Sequence, residues 1–143
     1  MKIKSYSDKS IFFRLYRTTR NLEENLSKKL LPFNINITEA LCLVFLFVEN
    51  DNDIFLKDIS NSLGFKKSLV SHSISSLETK KYVSRKINEL DKRRYKFKLS
   101  SHGKKIIPSI FELFDDIENS IESKLSKEDC NTLDLIFNSL DNS

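Results

Sequence analysis

Glycine and proline are scarce, with two of each in 143 residues. So few turning points exclude a fold of many short hairpins and predict a mainly helical chain. Cysteine is as rare. Cys42 and Cys130 lie far apart and match no metal-ligand spacing,; Cys42, inside an apolar run, reads as a small buried hydrophobe, while Cys130 lies in the polar start of a helix, KEDCN,. The longest apolar run, ALCLVFLFV at 40–48, is about half of the ~18 residues a bilayer crossing needs,. The first ten residues, MKIKSYSDKS, carry cations with no apolar region behind them, so no signal peptide is expected and a soluble, cytoplasmic protein is,. Also missing are a nucleophile–base pattern, a phosphate-cradling glycine loop and paired carboxylates set apart from surface acids. No enzymatic activity, cofactor or metal is therefore expected.

What is present is globular material, 39% hydrophobic and 31% charged, long enough to bury one core,. Its charge is unevenly placed. Residues 57–105 hold fourteen Lys or Arg against four acids, whereas 106–143 hold two Lys against nine acids. A cationic block beside an acidic tail points to a polyanion partner, although such blocks can be plain solvated faces.

Along the chain, Ile11, Leu15, Leu22, Leu26 and Leu30 keep helical spacing and predict a long amphipathic helix over about Asp8–Leu30, closed by Pro32,. Phe12 and Tyr16 widen its apolar stripe. With Phe13 and Phe33 they either line a small-molecule pocket or belong to plain core. NINI at 34–37 reads as a link, after which Thr38 can cap a central helix reaching about Asn50, with Glu39 in its first turn,. Leu56, Ile59 and Leu63 mark a short helix ended by Gly64, and Val70, Ile74 and Leu77 mark a second after the link 65–67,. Strand-like stretches at 82–85 and 94–100 flank the polar tip NELDKR,. From there Ile106, Ile110, Leu113, Ile117, Ile121 and Leu125 form one stripe of a long helix, and Ile107, Phe111 and Phe114 form another, with Pro108 in its first turns,. A helix apolar on two sides calls for a partner chain. The pair Ser126 and Asp129 reads as a capping box opening a last helix with Leu133, Ile136, Phe137 and Leu140 inward,.

A short helix, a tight turn, a second helix and then a basic hairpin follow the winged helix-turn-helix plan. The second helix fits a major groove and the hairpin reaches the adjacent backbone or minor groove. On the outward side of that helix lie Lys66, Lys67, Ser68, Ser71, His72 and Ser75. Short donors there allow close approach to base edges, and the lysines suit phosphates or a guanine edge. The bland reading is a helical hairpin with a serine-rich soluble face. In LDKRRYKFKLS at 90–100, Tyr95, Phe97 and Leu99 alternate as a half-buried strand, and Asp91, Lys92, Arg93, Arg94 and Lys96 put charge at or below the tip,. His72 and His102 stand isolated in sequence and suit surface hydrogen bonding better than metal ligation.

These residues carry a resemblance to the multiple-antibiotic-resistance-regulator (MarR) family of bacterial transcription factors. LKDISNSLG, SLVSHSISSLE and the ungapped DKRRYKFKLSSHG match the family's first helix, recognition helix and wing, and LSKEDCNTLDLIFNSL resembles its closing helix. The resemblance implies a mainly α fold with a small β-hairpin wing. In it, a winged helix-turn-helix at 36–103 is flanked by an amino-terminal dimerisation region at 1–35 and carboxy-terminal dimerisation helices at 104–143, all one compact unit. It further implies a homodimeric, sequence-specific regulator of transcription, most simply a repressor on a pseudo-palindromic double-stranded DNA site, with a possible small-molecule effector. Asp91 would orient the wing, and Arg93 would enter a narrow A·T minor groove. The alternatives are a non-specific architectural nucleic-acid binder and a winged-helix module for protein contacts. Two positions depart from the family. Lys81 stands where glycine is usual, implying a left-handed residue at a cost of about 1 kcal/mol or a different helix end, and Ser60 stands where alanine is common. The family's redox members carry a reactive cysteine near the amino terminus, and none occurs here before Cys42.

Overall fold

The structure, a computed structural model, describes residues 1–142. Its helices are α1 (Lys2–Lys9), α2 (Ile11–Leu30), α3 (Ile37–Val48), α4 (Leu56–Leu63), α5 (Lys67–Thr79), α6 (Ser101–Glu122) and α7 (Lys127–Asp141), and its strands are β1 (Val83–Ile87) and β2 (Tyr95–Leu99). The chain divides into two units, Met1–Ile110 and Phe111–Ser143. No single helix among the described residues is long and apolar enough to cross a membrane.

In the first unit the helix expected over about Asp8–Leu30 is α2, which starts three residues later, and a further helix not anticipated from the sequence, α1, precedes it. Ser10 leaves helical geometry, and its side chain accepts from the Phe13 N–H, so it caps α2 and ends α1,. A short 3-10 turn, Leu31–Phe33, carries Pro32 near its start and ends at Asn34 with φ 54°. The cap of α3 also differs from expectation. Asn36, not Thr38, accepts from the Glu39 N–H at 2.8 Å, and the Glu39 carboxylate receives the Asn36 N–H at 3.4 Å. Both residues could cap, but only the asparagine makes a reciprocal box with the acid three positions on.

Leu43, Leu46, Ile59, Val70, Ile74 and Leu77 are sealed between α3, α4 and α5, each 1% exposed or less. Gly64, with φ 68°, ends α4, as its sequence predicts. Ser60 donates to the Phe65 carbonyl at 2.6 Å and so closes the turn between α4 and α5,. At the far end of α5 the Lys81 N–H reaches the Glu78 carbonyl and the Tyr82 N–H reaches the Leu77 carbonyl, with Lys81 at φ 65°. This is a Schellman ending with a lysine in the left-handed position. Left-handed geometry costs a side-chain-bearing residue about 1–2 kcal/mol, and glycine forfeits roughly 0.5–1 kcal/mol of that gain to its freer unfolded chain. Lys81→Gly should accordingly raise unfolding stability by about 0.5–1 kcal/mol, read from the urea midpoint.

The hairpin pairs Val83 with Leu99, Arg85 with Phe97 and Ile87 with Tyr95. Along that face the core runs out towards the tip. Val83, Phe97 and Leu99 are buried, while Tyr95 and Ile87 are exposed. Tyr95 was expected to face the core; it lies under the Arg85 guanidinium instead, 4.7 Å from the ring centroid,. A third short pairing, Ile54 to Phe97, widens the wing sheet and draws the α3–α4 link onto it. No alternation in the sequence marks it.

Helix α6 begins at Ser101, so Pro108 lies in its interior, beyond the first turns, and removes the bond that an N–H there would make to the Lys104 carbonyl,. In the second unit Ser126 and Asp129 form the expected capping box, and the Ser126 N–H holds the exposed Asp129 carboxyl below its usual range. Leu133 is half-buried, but Ile136, Phe137 and Leu140 are exposed rather than inward.

Candidate nucleic-acid interface

The candidate surface comprises α5 and the wing, both in the first unit. One side of α5 is anchored by Val70, Ser73, Ile74 and Leu77, all buried. Helical periodicity then turns Ser68, Ser71, His72, Ser75 and Thr79 outward together, with Lys66 and Lys67 at the amino-terminal end,. All seven are exposed. Lys66, the residue before the helix, is exposed and has no side-chain acceptor for the first turn; its carbonyl accepts from the Leu69 and Val70 N–H groups at 3.0 and 3.1 Å,.

What holds α5 at its other end was not read from the sequence. Glu39, 5% exposed at its side chain, accepts from the Lys80 ammonium at 2.8 Å and from the Ser76 hydroxyl at 3.2 Å. The only advance signal was an acid in the first turn of an otherwise apolar helix. The same carboxylate lies near Cys42, whose thiol is pushed up to about 12, chiefly by burial and secondarily by Glu39. Cys42 therefore stays protonated at neutral pH and behaves as packing. Cys130 is partly exposed.

At the wing tip the Asp91 carboxylate accepts from the Arg93 N–H at 3.1 Å, its carbonyl accepts from the Arg94 N–H at 3.0 Å, and the Asn88 N–H donates to the Arg94 carbonyl at 2.9 Å. This turn fixes the backbone of Arg93 and leaves its side chain exposed,. Lys92 is exposed as well. Arg94 and Lys96 are placed differently from the other candidates. The Arg94 guanidinium lies 3.9 Å over the Phe55 ring, joining the wing to the start of α4. Lys96 lies opposite Lys86 in the sheet, a like-charge pairing, and its ammonium meets Asp53 at 2.7 Å,. Asp53 reaches it because the Ile54 pairing brings that residue to the hairpin.

Of the four aromatic residues expected in a pocket or in the core, Phe33 is partly buried, whereas Phe12, Phe13 and Tyr16 lie outside the core. They are exposed and lie in a chain of ring contacts, with Tyr6 against Phe13 at 5.7 Å, Phe12 against Phe13 at 5.5 Å and Phe12 against Tyr16 at 6.3 Å. His102 stacks on Tyr82 with ring centroids 4.6 Å apart, and the Tyr82 hydroxyl donates to the Phe33 carbonyl. No group of three or more His, Cys, Asp or Glu among the described residues could hold a metal ion.

No family model matches the chain. The HTH-type transcriptional regulator BilQ of Clostridioides difficile (strain CD3) is 21% identical over 126 residues, which cover 88% of this chain and 84% of BilQ. SarU of Staphylococcus aureus, also an HTH-type transcriptional regulator, is 28% identical over 85 residues; these are 59% of this chain and 34% of SarU, so the chain spans about a third of that longer protein. Among solved structures, MepR of S. aureus in complex with DNA superposes with a TM-score of 0.84 at 21% identity, over 93% of this chain and 95% of MepR. A MarR transcriptional regulator from Methanosarcina mazei Go1 gives 0.72 at 24% identity, over 93% and 98%. The fold is the winged helix of these regulators, and the chain resembles the MarR family in motif order and in architecture.

Proposed function

We propose that this chain, similar in motifs and fold to the MarR regulators, is a homodimeric DNA-binding regulator of transcription, most simply a repressor that an effector can release. The observation that carries the reading is the outward set on α5 beside a tip turn that holds Arg93 free. A protein–protein helix would not need seven polar or cationic side chains on one face, whereas a major groove accepts them. That relatives of this fold are named transcriptional regulators, and that MepR was solved with DNA, supports a regulator rather than an enzyme.

A second copy would cover what each unit leaves exposed. On α1 and α2 these are Ile3, Tyr6, Ile11, Phe12 and Tyr16, and on α7 they are Leu135, Ile136 and Phe137,. Two-fold symmetry then sets half-sites roughly 10 base pairs apart centre to centre. Within each half-site, α5 would read base edges through Ser68, Ser71, His72 and Ser75. Lys66, Lys67 and Lys92 would take phosphates, and Arg93 would enter the minor groove with Asp91 holding its backbone. Arg94 and Lys96 would act mainly by fixing the wing, through Phe55 and Asp53, and the Asp53 charge would weaken the pull of Lys96 on a phosphate,.

Selection of bound fragments from the source genome, followed by titration across salt, tests this. Arg93→Ala is expected to weaken binding about tenfold at sites with A·T-rich flanks and less on random DNA. Lys92→Ala should weaken all sequences alike and reduce the salt slope by about 1. A footprint that never sharpens against competitor DNA would favour an architectural binder, and no shift of any fragment at low salt would favour a protein-contact module.

A further inference from the structure

One side chain on the exposed side of α5 differs in chemistry from its neighbours. Leu69 is 41% exposed, while Val70 beside it is sealed in the core. A lone exposed leucine means little in general. Here its position narrows the reading. It lies in the first turn of α5, the part of a groove-entering helix that reaches base edges, and one turn ahead of His72,. Serine hydroxyls around it can donate or accept, so they discriminate weakly between bases. The single apolar feature a base edge offers in the major groove is the 5-methyl group of thymine.

We propose that Leu69 packs against a thymine methyl group and so supplies base discrimination that the serines of α5 cannot. This rests on the DNA-binding reading above and deepens it by naming a base. Contact with Leu69 would remove one methyl from water, worth about fourfold in affinity.

The test replaces thymine by deoxyuridine, one position at a time, in fragments selected and footprinted with the full-length protein. Deoxyuridine keeps every hydrogen-bonding group of thymine and removes only the methyl. The unsubstituted protein should lose about fourfold at a single thymine of each half-site. Leu69→Ala should bind the thymine and uracil forms equally, and Leu69→Met, apolar and of similar volume, should keep the preference. Leu90→Ala is the control, because Leu90 is a 97% exposed leucine at the wing tip and the minor groove displays no methyl; it should leave the thymine-to-uracil ratio unchanged,. Leu69 is already exposed, so its variants should melt with the parent. The proposal is overturned if no thymine position is methyl-sensitive, or if Leu69→Ala keeps the full ratio. Selective binding in those cases would leave the regulator reading standing, whereas failure to select any fragment would remove both.

Discussion

Gly103→Ala is expected to destabilise the protein by about 3 kcal/mol, at the upper end of what overpacking costs. A Cβ at this position would stand 2.1 Å from the Tyr82 carbonyl oxygen and 3.3 Å from a Leu99 methyl. The near atom is backbone, so no rotamer change relieves the contact. Either the first turn of α6 lifts away or the root of the wing moves. Both choices disturb a junction where the Ser100 N–H donates to that same Tyr82 carbonyl and the Ser100 hydroxyl donates to the Lys81 carbonyl at 2.6 Å. Urea denaturation gives the measurement, as a fall in midpoint at unchanged slope. An unchanged midpoint would mean that α6 does not pack this closely on the wing root.

Glu39→Ala should cost a similar amount, about 3 kcal/mol, because it leaves the Lys80 ammonium, three-quarters buried at its side chain, without its counter-charge,. It also removes half of the α3 capping box and the acceptor of the Ser76 hydroxyl. Replacing both members, Glu39→Met with Lys80→Met, should recover most of the loss, since two apolar chains of similar length fill the space without a stranded charge. A double-mutant cycle on urea midpoints would show a large coupling between the two positions. Additive losses would mean that the ion pair contributes nothing as a pair, and that the cost of Glu39→Ala lies in the cap. Because the pair joins the start of α3 to the end of α5, the single variant should also loosen the setting of the helix that carries the candidate DNA contacts.

Much of the winged-helix region was legible in sequence for a local reason. Gly64 can end a helix without steric cost, Val70, Ile74 and Leu77 repeat at the helical period, and Asp91 is a turn former by its own side chain. Each of these preferences acts within a few residues, so the chain displays them in order. The outward set on α5 follows from the same periodicity, since whichever face is apolar dictates the opposite one.

The misreadings have two origins, a choice between local signals that are each competent and contacts that form only when the chain folds. Thr38 and Asn36 are both competent caps, and the choice fell to the one whose spacing to Glu39 closes a reciprocal box. Ser10 divides α1 from α2 without any glycine or proline to announce it. Tyr95 keeps strand alternation yet emerges from the core because the hairpin outruns the helices beneath it. Lys96, by composition a free cation, is taken up by Asp53 through a strand pairing 43 residues away in sequence.

Periodicity, turn chemistry and charge are properties of neighbouring residues, so the order of elements from α2 onward, the buried face of α5 and the basic character of residues 57–105 are legible along the chain. Which cations keep an exposed side chain depends on folding. Lys80, Arg94 and Lys96 are drawn to Glu39, Phe55 and Asp53, while Lys66, Lys67, Lys92 and Arg93 are left exposed, since partners distant along the chain become neighbours only when it folds.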